Sequence, residues 1–238
     1  MGEDSYCLHQ LKSLFETKTN GISFQIREKS FYCGKKKKLI LPTENYIKYK
    51  DLIKKKKILF GLSICDAVTF KKFEHLKPDF IKIINDNIKN KELIDEVIKS
   101  KVKKIFISTG HCKEKDIENI FLKYNHQTLK EKIILIHTQL SYSTKEVNLK
   151  AIKYLKDKYQ MPVGYSNHCS NLNVIYMSLA FEPEYIFIYI KGNRKIVHKD
   201  EHNAIKTKNI KEFINQLLIL QKAVGKLGKF DTKSLKKY

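Results

Sequence analysis

Polar side chains follow several short apolar runs of this chain, at the point where each run ends. Hydroxyl groups and lysines bind phosphate or carboxylate, and imidazoles bind divalent metals. If the runs are parallel strands of a barrel, their carboxyl ends meet at one mouth, where barrel active sites lie. The sequence therefore predicts one polar site. Its segments are Asn85-Asp86-Asn87, Ser108-Thr109-Gly110-His111, His137-Thr138-Gln139, Ser166-Asn167-His168 and Lys191-Gly192-Asn193.

The apolar runs have the pattern of strands in a parallel sheet. Nearly every run is continuous in apolar character instead of alternating, as a sheet covered on both faces requires. Stretches with helical spacing of apolar residues separate the runs, a first helix is predicted at 6–18, and a last one at 208–224. The predicted strands are Ile22–Ile26, Ile58–Ile64, Phe80–Ile84, Lys104–Ser108, Ile133–His137, Pro162–Tyr165 and Tyr185–Ile190.

Alternating strands and helices leave two common folds, an open doubly wound sheet or a closed eight-fold barrel. Seven strands preceded by a helix match a barrel that lacks its first strand. We therefore predict an α/β fold, a TIM-type (β/α) barrel that is incomplete, over residues 1–225, followed by a basic flexible tail at 226–238. Such a barrel has two unpaired edges, near Ile22 and Ile188, which another element must cover.

The net charge of the chain is strongly positive. Lys and Arg total 47 against 25 acidic residues, a formal charge of +22, and a field of that sign attracts anions. Nucleic acid, an anionic membrane surface and phosphorylated metabolites all fit this charge. No lysine cluster coincides with an aromatic stacking pattern or a nucleic-acid motif, so a lysine-rich solvated exterior is the simpler interpretation. We predict no specific nucleic-acid partner.

The cysteines and the apolar content indicate the compartment. Five widely and irregularly spaced cysteines without a C-x-x-C pair favour neither a zinc site nor a disulfide framework, and a reducing cytoplasm fits them. The amino terminus has no basic region followed by an apolar stretch, and nowhere do about 18 uncharged apolar residues run together. We expect a cytoplasmic protein without a membrane span.

Four segments together resemble the sialic acid synthase family. Phe80–Ile83 is similar to the family's "YKIGS" strand, Ile107–Gly110 to "LSTGM", Ile134–Asn148 to "LLHC…YPTP…NL", and Val163–His168 to "GYSDH". Their order and spacing match, and the resemblance spans roughly 11–224. The family condenses phosphoenolpyruvate with an amino sugar to make nine-carbon sugar acids. The resemblance therefore implies a phosphoenolpyruvate-dependent synthase of nonulosonic acid biosynthesis.

The resemblance also implies which residues contact the substrates. Lys82 matches the lysine that grips phosphoenolpyruvate, and a point cation at a strand end suits a phosphate or carboxylate. Ser108, Tyr142 and Ser166 match further ligand contacts that donate hydroxyl hydrogen bonds to the same anion. Asn85 stands where a serine contact is usual. We predict these five residues as substrate-binding.

A metal and an acidic residue are implied as well. His168 resembles one of two histidines that hold a divalent metal, manganese or magnesium, which would polarise the sugar aldehyde. The second histidine is expected at position 189, where this chain has Tyr189, a poor ligand for a divalent ion. Asp200 resembles the acidic residue that follows the last strand and contacts the sugar, and it is our predicted catalytic residue.

Other departures from the family weaken the inference of activity. Ser23 stands where a second phosphate-binding lysine is usual, Asn87 where an acidic residue is usual, and Asn167 where an aspartate precedes the histidine. Lost charge at such positions weakens acid–base chemistry and metal binding. The alternative is therefore a catalytically inactive relative that serves as a ligand-binding or partner subunit. Replacement metal ligands would have to come from His111, Cys112, His137 or Cys169.

The family's amino-terminal "EIGxNHxG" strand and its carboxyl-terminal antifreeze-like domain have no counterpart in this sequence. We therefore expect a homodimer, or a companion chain that supplies the absent parts. The functional interpretation depends on one geometric expectation. Lys82, Ser108 and His168 should line a common anion pocket although they lie far apart along the chain.

Overall fold

The computed structural model describes residues 4–84, 87–124, 126–192 and 199–225, without the side chains of residues 126–128 and 199–200. Each strand of the main sheet pairs in parallel with the next strand along the chain. A doubly wound sheet would instead reverse its strand order part of the way across. The seven strands are β1 (Gly21–Gln25), β2 (Leu59–Ile64), β3 (Phe80–Ile83), β4 (Lys104–Ser108), β5 (Ile133–His137), β6 (Val163–Ser166) and β7 (Ile186–Phe187).

Side-chain contacts across the sheet demonstrate that it curls. The ring centroids of Phe80 in β3 and Phe187 in β7 are 6.3 Å apart. In a flat sheet, four strand spacings would separate these strands by about 19 Å. The sheet therefore forms part of a barrel wall, and the prediction of an incomplete (β/α) barrel with seven strands is confirmed. Among the described strands, β1 and β7 form its two open edges.

The helices cover the outside of the barrel. At the start of α4 (Lys91–Lys99), the side chain of Asn90 accepts a hydrogen bond from the backbone N–H of Leu93, which caps the first turn. Leu93, Ile94 and Val97 of this helix are buried on one face. The predicted first and last helices are confirmed with ends that differ by up to three residues. The helices are α1 (Asp4–Phe15), α2 (Thr43–Lys55), α3 (Ala67–Phe73), α4 (Lys91–Lys99), α5 (Glu114–Lys123), α6 (His126–Lys132), α7 (Lys150–Tyr159), α8 (Asn173–Ser178) and α9 (Ile210–Val224).

The last predicted strand, Tyr185–Ile190, is wrong as a single element. The structure divides it into β7 and a second strand, β8 (Tyr189–Lys191), which pairs in parallel with β9 (Ala204–Lys206) in a separate sheet. β8 therefore pairs with β9 and with no strand of the barrel sheet that the structure describes. No sequence pattern predicts β9, because it has three residues, only one of which, Ile205, is buried. The predicted tail at 226–238 lies outside the described residues.

Strand register determines which side chains point into the barrel. Alternate residues of a strand lie on one face, and paired residues of neighbouring strands lie on the same face. The inner face therefore carries Ser23, Gly61, Ser63, Phe80, Lys82, Phe106, Ser108, Ile134, Ile136, Gly164, Ser166 and Phe187. Phe80, Phe106, Ile134 and Ile136 form a buried apolar cluster, which we call the barrel floor. Polar residues lie nearer the carboxyl ends of most of the same strands.

Candidate anion-binding site at the barrel mouth

Lys82 is buried inside the barrel near the carboxyl end of β3. Its side chain is 4% exposed, which is unusual for a lysine. The ammonium donates a hydrogen bond to Ser166 Oγ at 3.0 Å, and it lies 4.3 Å from the centroid of the Phe187 ring. The aromatic face attracts the cation, and the hydroxyl fixes its position. β3 and β6 therefore hold a localised positive charge at the mouth.

Hydroxyl groups share the inner face with Lys82. Ser166 and Ser108 end their strands and are 1% and 4% exposed. Ser63 lies beside Lys82 in the β2–β3 register, and its Oγ is 2.8 Å from Ser23 Oγ. Ser63 is not among the predicted substrate-binding residues, although a serine inside the apolar run of β2 indicates a polar position on the sheet. These hydroxyls give the mouth hydrogen-bond donors for an anion.

A cavity of about 300 Å³ opens beside Lys82, between the two open edges of the sheet. Residues 22–25 of β1 line one side, and residues 187–191 line the other. Helix α1 contributes Tyr6, Cys7, Gln10, Leu11 and Leu14, so it covers part of the gap that the sequence analysis expected. Lys82, Arg27 and Lys191 line this cavity together with Glu201. The lining therefore carries more positive than negative groups.

His168 contacts Tyr189, and Tyr189 connects it to Lys82. Tyr189 Oη is 3.4 Å from His168 Nε2, and the two rings meet at 63° with centroids 5.3 Å apart. The Lys82 ammonium is 5.8 Å from the centroid of the Tyr189 ring. The structure therefore places Lys82, Ser166, Tyr189 and His168 in one connected group, with Ser108 on the same inner face. Of Lys82, Ser108 and His168, which were expected to line a common pocket, Lys82 alone is among the residues that line the cavity.

The loop that carries His168 is held by Asn167, which is 1% exposed. Asn167 Oδ1 accepts hydrogen bonds from Tyr165 Oη at 2.8 Å and from the N–H of Cys169 at 3.2 Å. The backbone carbonyl of Asn167 accepts from Asn203 Nδ2 at 2.8 Å. Burial also raises the pKa of Tyr165, which keeps the phenol a neutral donor. Asn167 is therefore a structural residue here, and Asn203 is a second one that the sequence analysis missed.

The divalent metal implied at His168 does not fit the described donor set. In the ranges that the structure describes, no three His, Cys, Asp or Glu residues lie close enough together to hold an ion. His137 Nε2 lies 2.9 Å from the carbonyl oxygen of Val147, and burial lowers the pKa of this imidazole. Cys112 Sγ donates to the carbonyl of Thr109 at 3.1 Å, and burial raises the pKa of its thiol to about 11. Two of the four proposed replacement ligands, His137 and Cys112, are therefore bonded to backbone.

Of the remaining predicted site residues, Tyr142 is the one whose side chain the structure describes. Tyr142 is 42% exposed, and its ring packs against that of His202 with centroids 5.0 Å apart. Asn85 lies outside the described residues, and so does the side chain of Asp200. Their roles therefore stay predictions.

An incomplete (β/α) barrel with a buried lysine and hydroxyls at the strand carboxyl ends belongs to the class of (β/α)-barrel proteins, whose active sites lie at this end. The model of the NeuB family matches residues 7–229, and the chain therefore belongs to the NeuB family. This finding confirms the resemblance drawn from the four sequence segments.

Individual relatives agree with this assignment. An uncharacterised protein of Methanocaldococcus jannaschii is 28% identical over 84% of this chain, and the N,N'-diacetyllegionaminic acid synthase of Campylobacter jejuni is 28% identical over 74%. These matches cover 59% and 54% of the relatives, so the chain spans little more than half of their length.

The crystal structure of an N-acetylneuraminic acid (sialic acid) synthetase from Leptospira borgpetersenii superposes with a TM-score of 0.86 at 23% identity. The superposition covers 98% of this chain and 84% of that one, and it supports the barrel fold. Among the residues described, no helix is both long and apolar enough to cross a membrane.

Proposed function

We propose that this chain is a phosphoenolpyruvate-dependent synthase of nonulosonic acid biosynthesis, which forms a carbon–carbon bond between phosphoenolpyruvate and an amino sugar. The contact between Lys82 Nζ and Ser166 Oγ carries the proposal, because it fixes an ammonium and a hydroxyl 3.0 Å apart at the mouth. A phosphate or carboxylate accepts hydrogen bonds from both groups. Family membership and the named activity of the C. jejuni relative support this choice of reaction.

The chain's own residues bind and orient the anionic substrate in this proposal. Lys82 attracts the negative charge of phosphoenolpyruvate, and its burial strengthens the attraction because the surroundings screen charge less than water does. Ser63, Ser108 and Ser166 hydrogen-bond the substrate oxygens. Asn85 and Tyr142 are proposed as further substrate contacts, and Asp200 as the catalytic residue that contacts the sugar.

The experiment for this proposal is a phosphate-release assay on the purified chain. Phosphoenolpyruvate and N-acetylmannosamine-type sugars are added, with manganese in one series and EDTA in the other. We expect inorganic phosphate to appear only when both substrates are present. Absence of release with every sugar of this type, in both series, would contradict the synthase proposal.

A catalytically inactive, ligand-binding relative is the second candidate. The contact of Tyr189 with His168 favours it, since this phenol stands where a second metal-binding imidazole is implied. Such a protein would bind phosphoenolpyruvate but release no phosphate. Calorimetric titration with phosphoenolpyruvate, run beside the phosphate assay, separates the two candidates.

We also propose that the open side of the barrel is covered by a second polypeptide, either another copy or a companion chain. Consecutive residues of both sheet edges line the cavity there, and open strand edges pair readily with other chains. Light scattering coupled to gel filtration should therefore give at least twice the 28.0 kDa mass of the chain, or reveal a co-purifying protein. A stable, soluble species of 28.0 kDa at micromolar concentration would contradict this expectation.

We also propose that the chain works in the cytoplasm. All five cysteines are free, including the exposed Cys33. Free thiols persist in a reducing compartment.

A further inference from the structure

Tyr189 occupies a position that is geometrically suitable for a metal ligand. Its Oη lies 3.4 Å from His168 Nε2. Two ligands that each bind one ion at about 2.1 Å in tetrahedral geometry have donor atoms roughly 3.4 Å apart. The side chains of residues 168 and 189 therefore meet at the separation of a ligand pair, as measured at the phenol oxygen of Tyr189. What differs from a metal site is the chemistry of the second donor.

That second donor is unsuitable for a resident divalent cation. A neutral phenol is a poor ligand, whereas imidazole is among the commonest. A single imidazole needs further anionic or imidazole donors, and the described ranges contain no cluster of three that could supply them. His137 and Cys112 are bonded to backbone carbonyls.

Positive charge is already present at this point of the mouth. The Lys82 ammonium lies 5.8 Å from the centroid of the Tyr189 ring, and Lys191 follows two residues after Tyr189 in β8. Arg27 and Lys191 line the same cavity as Lys82. Arg27 is ion-paired with Glu28, so the net positive charge of the lining comes from Lys82 and Lys191 against Glu201. This net charge would repel a divalent cation beside His168 and attract an anion.

We infer that the mouth holds its anionic ligand with Lys82 and without a resident divalent cation, and that Tyr189 is the residue that excludes the ion. The inference rests on the proposed function only for the identity of the anion. It makes Tyr189 a residue that determines metal specificity, and it predicts that one substitution creates a manganese site between residues 168 and 189.

The experiment is a titration of the purified full chain with Mn²⁺, followed by calorimetry and by the electron paramagnetic resonance signal of free manganese. The unmodified chain should lack a stoichiometric site. Its affinity for phosphoenolpyruvate should be the same in EDTA and in manganese. In metal sites generally, removing an outer-shell partner of a ligand changes metal affinity about 10- to 100-fold. The Tyr189→His variant adds a ligand that binds the ion directly. A direct second imidazole should therefore tighten manganese binding by at least about 100-fold.

Two further variants make the result specific. Tyr189→Phe keeps an aromatic ring but supplies no donor, so it should bind manganese no better than the unmodified chain. Adding His168→Ala to Tyr189→His should remove the gained site, which assigns the site to this pair. Circular dichroism establishes that each variant is folded.

A stoichiometric manganese site in the unmodified chain would overturn the inference, and so would phosphoenolpyruvate binding that EDTA abolishes. A folded Tyr189→His variant without improved manganese binding would overturn the assignment to Tyr189. Manganese binding needs no substrate and no turnover. Failure of this inference is therefore distinguishable from failure of the synthase proposal, which the phosphate assay decides.

Discussion

Replacing Lys82 by methionine is expected to weaken phosphoenolpyruvate binding by at least about 100-fold, which corresponds to about 2.8 kcal/mol. Methionine keeps an unbranched stem near the Phe187 ring but removes the ammonium that lies 4.3 Å from that ring's centroid. Because the site is buried, an anion there would lose its only proposed charged partner in weakly screening surroundings. Isothermal titration calorimetry with phosphoenolpyruvate measures the change.

Lys104→Met is the matched control for this substitution. The Lys104 ammonium also contacts a hydroxyl and an aromatic ring, because it donates to Tyr185 Oη at 2.6 Å and lies 5.1 Å from that ring's centroid. Lys104, however, begins β4 and therefore lies at the opposite end of the barrel from the mouth. Its replacement should leave phosphoenolpyruvate affinity within about twofold. Equal losses in the two variants would refute a specific role for Lys82.

Thermal unfolding distinguishes loss of the site from loss of the fold. Replacing a buried charge by an apolar side chain of similar volume is often neutral or stabilising. Lys82→Met should therefore unfold at the same temperature as the unmodified chain or higher. A lower unfolding temperature together with lost binding would mean that Lys82 is a structural residue.

Much of the barrel could be predicted from the sequence because each strand is a continuous apolar run. β4 and β5 begin and end where the pattern predicts, since both are buried in the middle of the sheet. The same logic locates Ser166, because polar residues at strand ends in such runs must lie near the mouth. Lys82 lies inside its apolar run, and the resemblance of that run to the family's strand identifies it. The 3.0 Å contact between Lys82 and Ser166 depends on how far the sheet curls, and no local pattern contains that information.

The parts that could not be predicted depend on long-range contacts. β8 is distinct from β7 because it pairs with a different strand, β9. That partner lies farther along the chain and is too short to have a recognisable pattern. From the sequence alone, Asn167 is a position where an asparagine replaces the family's aspartate. In the structure it is a buried amide bonded to Tyr165, Cys169 and Asn203, and that role depends on a residue 36 positions away.

Gly61→Ala is expected to destabilise the fold more than any other alanine substitution proposed here. A Cβ added at Gly61 would lie 2.1 Å from Phe80 Cε2 and 2.2 Å from Phe80 Cζ. The Phe80 ring cannot easily move, because it is 5% exposed and meets Phe106 edge to face at 5.4 Å in the barrel floor. We expect a loss of about 3 kcal/mol, the upper end for overpacking a core. At this chain length, that corresponds to a fall of roughly 10 °C in the unfolding temperature.

Gly21→Ala tests whether the Phe80 ring causes this effect. Gly21 approaches the same ring from β1, but its added Cβ would lie 3.0 Å from Phe80 Cε1, so a small shift relieves the contact. We expect a cost below about 1 kcal/mol for this variant. Adding Phe80→Leu to Gly61→Ala shortens the clashing side chain, and the two substitutions should couple favourably by about 1 kcal/mol or more in a double-mutant cycle. Additive effects would indicate that Gly61 is required for some reason other than the close approach of Phe80.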